Sequence, residues 1–361
     1  MGEPQTDMSG SSSRGHPHFT FGVIADIQHA DKPDGLSGWK TMRYYSQSCL
    51  HLQEAITKWN AEDIRPTFVL QLGDIIDGYN KRCEKSEASL EMVLTMIKTA
   101  KMPFHHIWGN HEFYNFTRDY LMDSKLNTTW LEDRRQDELD LRSEGSSNNK
   151  DYYAYHFSPH SKFRIIVIDT YDLSVLGRKE MSDGHRKSLA FLDSSQYDFN
   201  GTQGFHLLEF NGGLGKEQLA WLDGVLTYSD KNGERVIIAG HIPIHPKAKR
   251  SLCLAWNYGE ILRTIQSHQS VVCYFAGHDH SGGYYLDSHG IHHITMEGVI
   301  ESPPGTNAFG TVFVYADGLL LRGRGRVKNR FLPYRMGAKT DASYVTCSGG
   351  RKDTDVSMCQ K

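Results

Sequence analysis

Short apolar runs alternate with longer segments of helical periodicity in the first third of the chain. The runs predict strands and the periodic segments predict helices, in the order strand 19–25, helix 39–60, strand 68–72, helix 86–101 and strand 105–108. In the first helix Leu52, Ala55, Ile56 and Trp59 share one face, and Pro103 ends the second. This order implies parallel strands joined by right-handed crossovers.

The rest of the chain adds more strands around two polar insertions, at about 115–150 and 171–213, and the second insertion is expected to be irregular. Strands are predicted over 152–157, 163–169, 235–239 and 271–276, helices over 216–227 and 259–267, and antiparallel strands over 283–286, 292–296, 311–315 and 319–322. Residues 1–18 are expected to form a disordered lead-in and 336–361 a polar tail. A single α/β domain over 19–335 accounts for the rest.

Five of the apolar runs end in a small residue followed by a side chain that can bind a metal. The five junctions are Ala25-Asp26, Gly73-Asp74, Gly109-Asn110, Gly240-His241 and Gly277-His278. In open α/β sheets the ligand crevice lies beyond the carboxyl ends of the strands. We therefore expect these side chains, together with Gln28 and His280, to meet at one edge as a metal cluster.

Composition narrows the range of partners. The 361 residues carry 40 Lys and Arg against 43 Asp and Glu, a formal net charge of −3. This balance argues against a nucleic-acid binder that relies on a basic surface. The run from Arg322 to Arg326 is accordingly interpreted as an exposed strand end. If the substrate is an anion, bound cations must supply the local positive charge.

Cysteine spacing and hydropathy indicate the compartment. The six cysteines form no C-x-x-C pair, and no apolar run approaches the roughly 18–20 residues of a membrane span. The first 18 residues hold no apolar stretch of the kind that a secretory signal needs. We expect a cytoplasmic protein without membrane association. Its Asn-x-Thr sequons, at Asn115, Asn127 and Asn200, are expected to be unmodified.

The mixture of ligand types suggests which ions would bind. Carboxylates, imidazoles and an amide suit manganese, iron or zinc better than calcium, which takes oxygen ligands only. The side chains of His278 and His280 diverge, so they would serve two neighbouring ions, and Asp74 is the candidate bridge. Two such ions activate water for an in-line displacement at phosphorus. His111, next to Asn110, could protonate the leaving group or stabilise the phosphoryl oxygens.

At this point the chain resembles the calcineurin-like metallophosphoesterases, whose motifs are D-x-H, G-D, G-N-H-[DE], G-H and G-H-x-H. Here Gln28 replaces the histidine of the first motif; the other motifs stand in order. The resemblance implies an α/β fold of two mixed β-sheets sandwiched between helices. It also implies that one ion binds Asp26, Gln28, Asp74 and His280, and the other binds Asp74, Asn110, His241 and His278. An amide oxygen at position 28 is a harder ligand and would favour manganese or magnesium.

The glutamine and the layout of the motifs resemble one manganese-dependent subgroup of that family. The resemblance implies hydrolysis of the diphosphate link of ADP-ribose and of CDP-alcohols such as CDP-choline and CDP-glycerol. Alternatives are a cyclic-nucleotide phosphodiesterase or nuclease, a phosphoprotein phosphatase and a non-enzymatic scaffold. The phosphoprotein phosphatases carry an arginine after the second motif, where this chain has Gly78 and Tyr79.

Substrate contacts are harder to predict than metal ligands. Aromatic residues that flank the motifs, namely Trp39, Phe113, Tyr114, Trp256 and Tyr258, are candidates for stacking on a nucleobase. Lys247, Lys249 and Arg250 are candidates for contact with a second phosphate. His245 is expected to be structural. No coiled-coil pattern is present, so a monomer is expected.

Overall fold

A computed structural model describes residues 15–132, 152–194, 204–249 and 252–335. The strands in chain order are β1 (Phe19–Ile24), β2 (Gly35–Leu36), β3 (Met42–Arg43), β4 (Phe68–Gln71), β5 (Phe104–His106), β6 (Tyr155–His160), β7 (Phe163–Val167), β8 (Arg235–Ala239), β9 (Val271–Ala276), β10 (Ser281–Leu286), β11 (His292–Glu297), β12 (Ala308–Val314), β13 (Gly318–Gly325) and β14 (Arg330–Pro333). The helices are α1 (Tyr45–Ala61), α2 (Tyr79–Arg82), α3 (Ser86–Ile97), α4 (Asn110–Asn115), α5 (Arg118–Asp123), α6 (Asp183–Ser194), α7 (Lys216–Lys231) and α8 (Tyr258–Gln266).

Two six-stranded mixed sheets form the framework. The first has the order β14-β13-β12-β1-β4-β5 and the second β10-β11-β9-β8-β7-β6. Strands β1, β4 and β5 are parallel, as are β7, β8, β9 and β11. The two-sheet α/β fold implied by the family resemblance is therefore confirmed.

The sheets pack face to face through aromatic side chains. The ring of Phe21 in β1 lies 5.9 Å from that of Phe275 in β9, and the ring of Phe19 lies 5.5 Å from that of Phe163 in β7. One cluster of buried side chains includes residues from both sheets. We propose on this basis that residues 19–335 form one domain.

Helix α1 shows how the apolar pattern produces the packing. Its predicted stripe, which includes Leu52, Ile56 and Trp59, is fully buried. The Trp59 ring packs over Gly22 of β1, where a Cβ would come within 2.8 Å of it. Gly22 therefore leaves the space that the indole fills.

Some element boundaries differ from the predictions. The expected helix 39–60 begins only at Tyr45, because Lys40 has a φ of 60° and the β2–β3 hairpin occupies the residues before it. Strand β14 was not predicted, and β11 pairs in parallel with β9 although it was expected to be antiparallel. Within the segment 171–213, expected to be irregular, the structure has helix α6.

Several expectations concern residues outside the described ranges. They include the lead-in up to residue 14, the tail 336–361, most of the first insertion and Asn200. Among the described residues, no helix combines the length and the apolar character needed to cross a membrane.

Candidate metal centre

The candidate ligands lie where the parallel strands of both sheets end. Asp26 follows β1, Asp74 follows β4 and Asn110 follows β5, whereas His241 and His278 follow β8 and β9. The residues at the ends of β1, β4 and β9 bend sharply: φ is 53° at Asp26, 57° at Asp74 and 69° at His278. Left-handed backbone conformations at residues with side chains are strained and concentrate at functional sites.

Glycines precede Asp74 and Asn110 because the site has no room for another side chain. A Cβ at Gly73, whose φ is 97°, would collide with His241. A Cβ at Gly109 would collide with Asp74 and His241. The small residue at each junction therefore allows ligands from different strands to approach one another.

Two overlapping groups of side chains could each hold a cation. The first group is Asp26, Asp74 and His280, and the second is Asp74, His241 and His278; within each group the ligand atoms lie within 4.8 Å of one another. These five residues, here called the ligand cluster, are almost completely buried. Asp74 belongs to both groups, which is the position expected of a bridging ligand.

Hydrogen bonds to the remote ring nitrogens show that the second group suits a metal ion. His241 donates through Nδ1 to the Leu72 carbonyl at 2.7 Å, so Nε2 carries a lone pair. His278 donates through Nε2 to Asn211 Oδ1 at 2.7 Å, so Nδ1 carries a lone pair. Burial holds the pKa of His278 well below its usual value and keeps the ring neutral. The two lone-pair nitrogens lie 3.1 Å apart, an arrangement that a cation between them would stabilise.

The first group differs because charged side chains surround it. His280 donates through Nδ1 to Glu301 Oε1 at 3.0 Å, and its Nε2 lies 3.5 Å from Asp26 Oδ1. Burial lowers the pKa of His280, but the Asp26 and Glu301 carboxylates outweigh it and raise that pKa to about 9. The same negative charge would attract a divalent cation, which would compete with the proton for Nε2 of His280.

Gln28 is oriented by an arginine that the sequence analysis did not identify. Arg43 Nη1 donates to Gln28 Oε1 at 2.9 Å and to Asp77 Oδ2 at 3.2 Å. Gln28 in turn donates through Nε2 to Asp74 Oδ2 at 3.1 Å. The amide therefore presents its nitrogen to the ligand cluster, and ligation through its oxygen requires the amide to exchange its two ends.

Two residues of the G-N-H-E motif, Glu112 and Asn110, belong to the surroundings of Asp74. Glu112 accepts backbone N–H bonds from Gly109, Asp74 and Ile75 at 2.6–2.8 Å, which fixes the β4 and β5 ends relative to each other. Burial and the Asp74 carboxylate raise the pKa of Glu112 to about 8, although these three bonds favour its ionised form. Asn110 begins α4, and its Oδ1 accepts a hydrogen bond from the Tyr171 hydroxyl at 3.3 Å.

His111 borders the cleft. Its Nδ1 accepts the Gly78 N–H at 2.8 Å, and its Nε2 lies 3.9 Å from Asp74 Oδ2. Burial lowers the pKa of His111, so the neutral ring carries its proton on Nε2. The ring therefore directs an N–H donor toward the ligand cluster. The Asp77 carboxylate is paired instead with the Arg43 guanidinium.

The predicted substrate contacts divide into two sets. Trp39 and Tyr114 line the cleft, together with Arg43. Trp256 is buried, its indole donates to the Leu208 carbonyl at 3.0 Å, and it does not line the cleft. Lys247 also lies off the cleft and donates to the Tyr285 hydroxyl at 3.2 Å. Arg250 is outside the described residues.

The two-sheet fold and the shared carboxylate define a dinuclear metallohydrolase. The Calcineurin-like phosphoesterase family model matches residues 19–282, and the chain belongs to that family. The resemblance deduced from the motifs is confirmed.

Relatives of similar length are closely similar to this chain. A protein from Bos taurus named manganese-dependent ADP-ribose/CDP-alcohol diphosphatase is 50% identical over 339 residues, which cover 92% of this chain and 98% of the relative. The Homo sapiens protein of the same name is 51% identical, with 88% and 93% covered. The crystal structure of a dimetal phosphatase from Danio rerio matches with a TM-score of 0.80 at 43% identity, over 88% of this chain and 100% of that chain.

Proposed function

We propose that this protein hydrolyses the diphosphate link of ADP-ribose and of CDP-alcohols such as CDP-choline and CDP-glycerol. The products are a nucleoside monophosphate and ribose 5-phosphate or a phospho-alcohol. The observation that carries the chemistry is the pair of ligand groups that share Asp74. The choice of substrate is supported by relatives of about 50% identity that bear the name of this activity.

The proposed ligand assignment is supported by the two groups of side chains that share Asp74, and it includes Gln28 and Asn110 on the basis of the family resemblance. Asp26, Gln28, Asp74 and His280 would hold one ion, and Asn110, His241 and His278 would hold the other together with Asp74. Manganese is proposed, with magnesium, iron or zinc as alternatives, because the set combines carboxylates, an amide and imidazoles. When bound, such a pair of ions activates water and neutralises charge on the phosphate.

The chain itself orients the substrate and supplies a proton. His111 directs Nε2–H toward the ligand cluster, where it would donate to a phosphate oxygen that gains negative charge. Glu112 fixes the backbone that carries Asp74 and Asn110, so the ligands need little rearrangement. Arg43 lines the cleft and places a guanidinium beside Gln28. These are preorganised groups, which is how hydrolytic centres lower the barrier.

The nucleotide end of the substrate is expected to contact the aromatic side chains that line the cleft. Trp39 lines the cleft and is 63% exposed, so its ring can stack on a base. Tyr114 borders the same opening. We place the second phosphate near Arg43 rather than Lys247, because the Lys247 ammonium bonds to Tyr285 away from the cleft.

A substrate panel tests the proposal. ADP-ribose, CDP-choline, cyclic nucleotides and a phosphopeptide are compared with Mn²⁺ and with Mg²⁺, and products are identified by mass spectrometry. We expect AMP with ribose 5-phosphate, and CMP with phosphocholine, to dominate in Mn²⁺. Preferential turnover of the phosphopeptide or of cyclic nucleotides, with ADP-ribose left intact, would reverse the assignment.

We further propose that the protein works as a cytoplasmic monomer on small molecules, without nucleic-acid or membrane partners. Support comes from the formal charge of −3 and from Cys49, Cys83 and Cys273, which are thiols rather than disulfides. Light scattering after gel filtration and fractionation of cells test these points. A dimer mass, or recovery in the membrane fraction, would contradict them.

A further inference from the structure

A buried asparagine, Asn211, forms a hydrogen bond with one histidine of the ligand cluster. Asn211 lies in the segment before α7 and has no exposed surface. Its Nδ2 donates to the His206 carbonyl at 2.8 Å and to the Leu252 carbonyl at 2.7 Å. Its Oδ1 faces His278 Nε2 at 2.7 Å.

These contacts allow only one orientation of the Asn211 amide. Carbonyl oxygens cannot donate, so both acceptors require the amide nitrogen, whose two N–H groups they use. Rotation by 180° would set the amide oxygen against two carbonyl oxygens. The oxygen of Asn211 therefore faces His278 and can only accept.

The fixed amide selects one tautomer of the histidine. Because Asn211 accepts, the single proton of neutral His278 resides on Nε2, and the lone pair resides on Nδ1. That lone pair points toward Nε2 of His241. In the other tautomer an N–H group would occupy this direction and prevent ligation.

We propose that Asn211 is a positioning residue that holds His278 in its metal-binding tautomer. This proposal rests on the metal centre of the proposed function. The other two imidazoles are held differently: His241 by the Leu72 main chain and His280 by the Glu301 carboxylate. His278 thus depends on a side-chain amide that also joins two cleft segments, at His206 and Leu252. Loss of this amide should lower the affinity for the ion at His278 more than the affinity for the ion at His280.

Two substitutions separate positioning from simple support of the fold. Asn211→Asp keeps an acceptor for His278 but sets a carboxylate against two carbonyls. Asn211→Leu removes acceptor and donors together. Mn²⁺ binding is measured by calorimetry and by the electron paramagnetic resonance of free Mn²⁺, and stability by thermal unfolding. We expect Asn211→Leu to weaken one of two Mn²⁺ sites by about 10–100-fold, the usual effect of losing such a partner. Asn211→Asp should retain affinity within a few fold, although it is the less stable variant.

The matched control is Asn257→Leu. Asn257 is also buried and donates to the Leu214 carbonyl at 2.8 Å, but it does not contact the ligand cluster. The Asn257→Leu variant should be less stable than the wild type and should still bind Mn²⁺ at both sites. If Asn211→Leu does not fold, Asn211→Ala takes its place in the same comparison.

The outcomes separate the two proposals. Wild-type protein that binds two Mn²⁺, with Asp and Leu variants that bind equally well, would overturn the role of Asn211 and leave the proposed function intact. Affinity that falls in proportion to stability in both variants would also overturn it. Wild-type protein that binds no Mn²⁺ would overturn the proposed function itself.

Discussion

Replacement of His111 by alanine tests the chemistry of the cleft. The ring is neutral, accepts the Gly78 N–H through Nδ1 and directs Nε2–H toward the ligand cluster. A positioned proton donor contributes about 10²–10⁴-fold, equivalent to about 3–5 kcal/mol of barrier. His111 is not among the groups that could hold the ions. We therefore expect kcat for ADP-ribose to fall by about that factor while two Mn²⁺ remain bound.

The measurement is steady-state turnover together with the metal content of the same preparation. His245→Ala is the control, since His245 stacks on Tyr285 with ring centroids 4.4 Å apart and does not line the cleft. That variant should keep kcat within a few fold. Loss of Mn²⁺ from His111→Ala would make His111 a ligand instead, and unchanged kcat would refute its role as a donor.

Two further substitutions test the ligand groups. Asp74→Ala should abolish turnover and reduce Mn²⁺ binding at both sites, because Asp74 belongs to both groups; calorimetry that still counts two ions would refute the bridge. Gln28→His should shift the metal preference away from Mn²⁺ toward Zn²⁺, because an imidazole is a softer ligand than an amide. An identical metal profile would instead place Gln28 behind the ligands.

The positions of the candidate ligands could be predicted because they depend on local features. Asp26, Asp74 and His241 each follow an apolar run and a small residue, and parallel strands bring their carboxyl ends together whatever lies between them. The division of these strands between two sheets came from the family resemblance. Spacing alone predicts a single sheet edge, because strands of either sheet leave the same alternating pattern in a sequence.

The residues that orient the ligands could not be predicted in the same way. Asn211 and Glu301 contact His278 and His280 across 67 and 21 positions of sequence. Arg43 lies in a segment whose periodicity resembles the start of a helix, but it belongs to strand β3, and α1 begins only at Tyr45. Such partners are set by how loops cross the sheet ends, and hydrophobic periodicity carries no information about that arrangement.

The departure at position 28 makes physical sense only with its neighbours. An imidazole there would need an acceptor behind its remote nitrogen, whereas the amide oxygen of Gln28 needs a donor, and Arg43 provides it at 2.9 Å. The guanidinium in turn needs a negative partner, which is Asp77 at 3.2 Å. Histidine at position 28 would leave Arg43 without that acceptor in a partly buried site, at a cost of about 1 kcal/mol. Gln28, Arg43 and Asp77 therefore form one unit, and the glutamine is matched by a charge pair that a motif comparison does not reveal.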